Sequence, residues 1–390
     1  MKKLLILGAS EFQIPLIRQA KKMGIYTCAV DISDEAAGFK FADEFRVCSV
    51  KDTEKILEIA KNFKPDGITA GMVDVAVYTT AVVCEKLSLP GLSPYVAKQA
   101  TNKLLMIQAF QKNNVPHPFY KYIRDINELD CDYLPFPLVS KPIDMAGSRG
   151  INYIPDSSEL HSSFEASRNC SDSGEVILEE FMVGPEVSVE ILVKGTEPVV
   201  LQITDKLTTG KPSFMELGHS QPSQLPYNTK ALIQNVACKA VKALDLIDCI
   251  VHAELIITSD GPKMVELGAR MGGDCIDQYL IEYSTGINLQ EIAIKIALGE
   301  EFDIPSKTIN NAAAIRFIQC RPGVVKDISY NETLINEAEI CRIYCKKGDI
   351  YSYAKDNSGR FGYVVVQSDD PQDAITRCEK IIEAIRIEVD

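Results

Sequence analysis

The start of the chain restricts the fold most. Leu4-Leu5-Ile6-Leu7 is apolar without a break. Such a run suits a strand covered on both faces, as in a parallel sheet, better than a strand with one wet face. Gly8-Ala9-Ser10 then turns the chain into a helical pattern ending near Gly24, a suitable C-cap. The alternation repeats. Tyr26–Val30, closed by Asp31, reads as a second strand and Glu44–Val47 as a third. Asp52 is placed to cap a helix carrying Ile56, Ile59, Ala60 and Phe63, and Gly67–Ala70 precedes a helix running to Leu87. Strands alternating with helices predict a doubly wound parallel α/β domain over residues 1–95. Met1-Lys2-Lys3 before an apolar run imitates a signal peptide, but the run is short, stops at Gly8 and leads into an amphipathic helix.

Beyond this segment the pattern changes. Leu89-Pro90-Gly91-Leu92-Ser93-Pro94 reads as a boundary loop, followed by one helix through Asn113 that carries Asn102-Lys103. A connection rich in proline (Pro116, Pro118, Pro135, Pro137) leads to a region, Phe136 to about Ile257, that reads as short strands and loops. Its one clear helix is Lys230–Leu244, with Ile233, Val236, Ala237, Ala240 and Val241 on one face. Leu289–Leu298 is a further amphipathic helix, and Ala312 onward reads as short strands plus a helix over Gln372–Ile385. With 390 residues there is room for two or three domains. A net charge of −13 without any basic run argues against a nucleic-acid partner. No apolar stretch approaches the ~18 residues of a membrane span. The 12 cysteines are scattered without a Cys-x-x-Cys pair, which favours reduced thiols in a cytosolic protein over disulfides or zinc.

Four constellations carry chemistry. In the first, Ser140-Lys141-Pro142 ends a strand and Gly147-Ser148-Arg149-Gly150 follows as a flexible turn. Glycines let backbone N–H groups approach phosphate, and the lysine adds charge, although such turns are common between strands. In the second, Glu179-Glu180-Phe181-Met182 leads through Gly184-Pro185 to Glu186. Phe181 or Met182 offers a face for a purine, Glu179 an acceptor for its amino group, and Glu186 an acceptor for ribose hydroxyls. The plain alternative is a β-hairpin with solvated carboxylates. In the third, Ser259-Asp260-Gly261-Pro262 joins two strands so that Glu254 and Glu266 can face the same way, and Arg270 follows in a glycine-rich turn. Paired carboxylates suit Mg²⁺, and an arginine suits a bidentate anion. In the fourth, Glu216-x-x-His219 lies in a loop, where an imidazole poised near neutral pH could deprotonate an amine.

Their order along the chain resembles the ATP-grasp superfamily. The resemblance implies an α/β domain (1–95), a two-lobed ATP-grasp domain (96–305, mobile lobe about 115–185) and a C-terminal lobe (306–390), an α/β and α+β architecture. Lys103 and Lys141 are similar to the family's phosphate-contacting lysines, and Gly147, Ser148 and Gly150 to its mobile loop. Glu179, Glu180, Phe181 and Met182 resemble its adenine hinge, Glu186 its ribose ligand, and Glu254 and Glu266 its metal carboxylates. Gly359-Arg360-Phe361-Gly362-Tyr363-Val364 and the stretch to Ile385 resemble a biotin-carboxylase-like lobe. D-alanine–D-alanine ligases carry Asn two residues after the second metal Glu; Gly268 stands there, so Glu266-Leu267-Gly268-Ala269-Arg270 is more similar to the L-amino-acid ligases.

That subgroup implies a cytoplasmic carboxylate–amine ligase using ATP and Mg²⁺, with Mn²⁺ as a substitute. Its partners would be a small carboxylate and an amine, with neither nucleic acid nor membrane. A homodimer is expected by analogy with relatives sharing the C-terminal lobe. Arg270 would contact phosphate or the acyl intermediate, and Glu216 and His219 would serve the amine. The competing readings are a bicarbonate-activating or carbamoyl-phosphate-synthase-like enzyme and a non-catalytic ATP-binding sensor.

Overall fold

The computed structural model describes residues 1–126, 129, 133–211, 213–351 and 359–390. Strands β1 (Lys3–Leu7), β2 (Tyr26–Asp31), β3 (Glu44–Val47) and β4 (Gly67–Thr69) form a parallel sheet in the order β3-β2-β1-β4. The unbroken apolar run in β1 has the expected cause. Leu4 and Ile6 pack on one face with Leu16 and Ile17 of α1 (Ile14–Lys22). Leu5 and Leu7 pack on the other with Ile56 of α2 (Thr53–Phe63) and Ala76 of α3 (Asp74–Leu87). Asp52 caps α2 by accepting from the Lys55 N–H.

The single helix expected through Asn113 is two, α4 (Pro94–Ala100) and α5 (Lys103–Lys112). Asn102 separates them: its backbone is extended and its side-chain oxygen accepts from Leu105 N–H, so it starts a new helix instead of continuing the old one. Lys103 thereby opens α5. A small antiparallel sheet follows, built from β5 (Tyr120–Ile123), β6 (Leu138–Pro142), β7 (Asn152–Ile154) and β8 (Val176–Glu180) in the order β5-β8-β6-β7. It is backed by α6 (Leu160–Cys170), a helix the sequence reading missed. Leu160, Ser163, Phe164 and Ser167 form its buried stripe, and two serines in four positions gave no apolar period to recognise.

Strands β9 (Glu186–Lys194), β10 (Glu197–Thr208), β11 (Glu216–Gln221), β12 (Cys249–Thr258), β13 (Gly261–Gly268) and β14 (Ala312–Ile318) belong to a larger sheet. The C-terminal region adds β15 (Gly323–Tyr330), β16 (Ile340–Ile343), β17 (Ile350–Tyr351), β18 (Gly362–Ser368) and β19 (Ile385–Val389). The large sheet runs β13-β12-β9-β10-β11-β14-β18-β16, and β17-β15-β19 form a fourth, smaller one. Helix α7 (Tyr227–Ala243) covers one face through Ile233, Ala237 and Val241. Helix α8 (Ile281–Thr285) leads to α9 (Leu289–Ala297), which packs against the N-terminal sheet and α1. Helix α10 (Glu332–Ile335) is a single turn, and α11 (Pro371–Glu383) covers β14 and β18. No helix among the described residues is long and apolar enough to cross a membrane.

Three readings of the sequence are corrected here. Strands between 136 and 257 are not all short: β9, β10 and β12 have 9, 12 and 10 residues. The segment holding Glu216 and His219 is strand β11, paired with β10 and β14, not a loop. The stretch around Gly184 is not a hairpin either, since β8 and β9 lie in different sheets and Phe181–Pro185 crosses between them.

That crossing is tight. Gly184 has φ +154°, and a Cβ there would overlap the Ile257 carbonyl oxygen, while Ile257 N–H donates to Pro185 O at 2.9 Å. Gly184→Ala is therefore expected to destabilise the protein by about 1–3 kcal/mol. Denaturant unfolding measures this, and an unchanged midpoint would mean the connector moves aside freely.

Candidate active site

The small sheet and the large sheet face each other across a cavity of about 270 Å³. From the small lobe come Lys141 at the end of β6, the turn at Gly147 and Ser148, and Glu179, Glu180, Phe181 and Met182. From the large sheet come Glu186, Glu216, His219, Glu254 and Glu266; Arg270 follows β13, and Lys103 enters from α5. Gly150 alone of the expected residues does not line the cavity. It packs against Pro142 and Cys170, and its carbonyl accepts from the Ser167 hydroxyl at 2.7 Å. It shapes the turn rather than contacting a ligand there. Gly147 and Ser148 take φ +69° and +60°, a conformation that aims successive N–H groups outward.

Glu254 and Glu266 are direct register partners on β12 and β13. Each is held by a lysine. Lys103 Nζ lies 2.5 Å from Glu266 Oε2 and donates to Met145 O at 2.9 Å, joining the large sheet to the small lobe's turn. Lys206 Nζ lies 2.9 Å from Glu254 Oε2, 2.8 Å from Glu186 Oε1 and 3.0 Å from Glu216 Oε1. Sequence reasoning missed Lys206. Its side chain is only 3% exposed, so three carboxylates from three strands close around one buried cation. Burial opposes its charge, yet Glu186, Glu254 and Glu216 raise the ammonium well above its ordinary value.

Glu179 departs from its expected role. It is buried, and its Oε2 lies 2.7 Å from Lys141 Nζ, so its carboxylate is turned to the lysine. Glu180 pairs with Lys263 at 2.6 Å. Phe181 packs edge-on to Tyr153 at 4.9 Å and tilted to Phe214 at 5.9 Å, forming an aromatic wall. Arg270 also has an internal partner. Its Nε and Nη2 grip Asp74 of the N-terminal domain at 2.8 and 2.7 Å, and Nη1 donates to Met271 O. The arginine still lines the cavity, but three of its N–H groups are engaged in this way.

Glu216 and His219 share a face of β11 because of a bulge. Leu207 pairs with Gly218 and Thr208 with Glu216, leaving Leu217 as an extra residue. Without it, a strand would send positions three apart to opposite faces. Asp274, missed by the sequence reading, completes the group: carboxylate and imidazole ligand atoms of Glu216, His219 and Asp274 lie within 4.8 Å of one another. Arg360 holds Asp274 bidentately at 2.7 and 2.8 Å and stacks 3.8 Å from the Phe317 ring centroid. Burial, together with the charges of Asp274 and Glu254, pushes the Glu216 carboxyl up to about 8 against the pull of Lys206. Burial disfavours charge on Asp274, but hydrogen bonds from Glu216 and Arg360 hold it well below the usual carboxylate range. Burial also lowers His219, against the opposing pull of Asp274, whose Oδ2 lies 3.6 Å from its Nε2.

The site thus has an aromatic pocket at the lobe crossing, cationic groups from three directions, an all-oxygen pair suited to a hard divalent ion, and an acid–imidazole group at the far end. Glu254 and Glu266 fit Mg²⁺ by chemistry and by adjacency.

The chain is similar to known proteins in sequence and in fold. Residues 134–278 match an ATP-grasp domain and residues 316–390 the L-amino acid ligase C-terminal domain 2. The chain is 26% identical over 336 residues to the uncharacterized protein y4rH of Sinorhizobium fredii, covering 84% of this chain and 69% of that one. It is 26% identical over 279 residues to an alanine–anticapsin ligase of Bacillus subtilis, covering 65% of this chain and 58% of the relative. A crystal structure of an L-amino acid ligase from Bacillus licheniformis superposes with a TM-score of 0.88 at 23% identity, over 100% of this chain and 99% of that one. The likeness to that structure shows the fold. The chain thus spans just over half the length of the alanine–anticapsin ligase.

Glu216 gives a signed stability prediction. Its carboxyl titrates near 8 in the folded state against an ordinary 4.5. The contribution is full below pH 4.5 and is lost as pH rises through 8. Glu216→Gln, which cannot ionise, is expected to flatten the fall in melting temperature between pH 6 and 9. Thermal melts of both proteins check this, and parallel pH profiles would contradict it.

Proposed function

We propose, from the premise that this chain carries an ATP-grasp domain completed by an L-amino-acid-ligase C-terminal domain, that it is an ATP-dependent carboxylate–amine ligase. The observation that carries this reading is the meeting of Lys103, Lys141, Arg270 and the Glu254–Glu266 pair in one cavity between two lobes. Phe181 and Met182 offer the apolar face for a purine, and Glu186 faces the cavity as a ribose acceptor. Lys103, Lys141 and Arg270 set positive charge where phosphates would lie.

A carboxylate oxygen attacks the γ-phosphorus of ATP, forming a P–O bond as ADP leaves. The amine nitrogen then attacks the acyl carbon, a C–N bond forms and phosphate departs. Glu254 and Glu266 would hold Mg²⁺, which supplies charge neutralisation to the transferring phosphoryl group. The turn at Gly147 and Ser148 lines the cavity and can keep water from the acyl-phosphate. His219 is the group to take the amine's proton, and Glu216 and Asp274 beside it orient the amine. A cytoplasmic setting and amino-acid substrates belong to this reading, and the amino-acid ligation named for the Bacillus subtilis relative supports it.

The test is ADP release over single amino acids, amino-acid pairs and bicarbonate. Release is expected only with a pair, and Glu266→Ala is expected to reduce it by at least ~10²-fold. Bicarbonate-dependent release without an amine would instead favour carboxyl activation of the carboxylase kind. Tight ATP binding without turnover on any mixture would favour a sensor.

A further inference from the structure

Behind the metal pair lies a buried polar chain that the proposed reaction steps do not use. His252 sits on β12, two residues before Glu254 and on the same face, and is the register partner of Glu190 on β9. Its Nδ1 lies 2.7 Å from Glu190 Oε1 and its Nε2 3.3 Å from Glu254 Oε1. Glu190 is fully buried, and its second oxygen meets no donor among the described residues. Asp277 stands next in line. Its Oδ2 accepts from Gly272 N–H at 2.6 Å, while its Oδ1 likewise lacks a donor. Burial, then the Glu190 charge, raises the Asp277 carboxyl well above its ordinary range.

The turn that follows Arg270 is fitted over this chain. A Cβ on Gly272 would stand 2.9 Å from His252 Nδ1 and 3.0 Å from Glu190 Oε2, closer than real side chains pack. Glycine there lets the backbone close down on the pair. A histidine held on both nitrogens has one ring orientation, so Glu254 has one fixed donor on the side away from Lys206.

We propose that Glu190 and His252 are positioning residues for Glu254, presenting its carboxylate to the metal. This rests on the reading of Glu254 as a metal ligand. A purely structural role is a poor fit, because a buried ionic chain generally stabilises a fold no better than apolar residues of the same size.

The experiment measures ATP binding by calorimetry across a Mg²⁺ series for wild type, Glu190→Gln, His252→Ala and the double variant. Circular dichroism checks the fold of each. Wild type is expected to bind ATP in a Mg²⁺-dependent way. Glu190→Gln and His252→Ala are each expected to raise the Mg²⁺ midpoint by at least ~10-fold, the double variant no further than the larger single effect. If Glu190→Gln does not fold, the midpoint of His252→Ala decides. Wild-type dependence with unshifted midpoints in the folded variants overturns the positioning role and leaves the ligase reading standing. ATP binding indifferent to Mg²⁺ in wild type overturns both.

Discussion

The site depends on burying many carboxylates without leaving any unpaired. Glu186, Glu216 and Glu254 come from β9, β11 and β12, and Lys206 comes from β10 between the first two. An ionised carboxylate removed from water costs several kcal/mol unless a partner cation and hydrogen bonds compensate it. One ammonium lies within 3.0 Å of all three carboxyls, and Glu216, its carboxyl pushed up to about 8, relieves the excess of negative charge around it. The geometry of the strands follows from it. The bulge at Leu217 turns Glu216 toward the lysine, and the same bulge brings His219 to the cavity.

The other acids obey the same rule with partners from farther away. Glu266 meets Lys103, Glu179 meets Lys141, and Asp274 meets Arg360. Asp74 and Arg270 are 196 positions apart in sequence, and their bidentate pair ties the N-terminal domain to the turn after β13. Each pair crosses a boundary between elements, so the packing of the domains and the electrostatics of the cavity are one arrangement.

This explains which parts of the molecule could be read from residues alone. The N-terminal strands were legible because full burial on both faces leaves an unbroken apolar run, as in β1. The β12–β13 pairing near the tight turn was legible, from Thr258–Gly261 to Leu255–Met264, but a bulge after Glu254 is what brings Glu266 opposite it, and the turn alone would not. Helix α6 was not, since its buried stripe is half serine. The β11 strand was not, because Glu216, His219 and Gln221 read as polar loop while their neighbours in space are β10 and β14. Lys206, Asp74, Asp274 and Arg360 gave no local signal either. Each gains its meaning from a partner distant in sequence. Gly150 shows the opposite error: its motif was visible, but its lack of a side chain serves Pro142 and Cys170 rather than a ligand.

The pairing pattern also bears on how such a cavity could take a highly charged guest. Lys103, Lys141 and Arg270 already hold Glu266, Glu179 and Asp74. An anion arriving alone would have to compete with those carboxylates for the same cations. A divalent ion arriving alone would have to compete with Lys103 and Lys206 for Glu266 and Glu254. A metal–nucleotide complex brings both charges at once, so lysines released by the metal's carboxylates become free for phosphate without leaving a buried charge unpaired. On the proposed reading of Glu254 and Glu266 as metal ligands, the Lys103–Glu266 pair therefore favours the complex over either component.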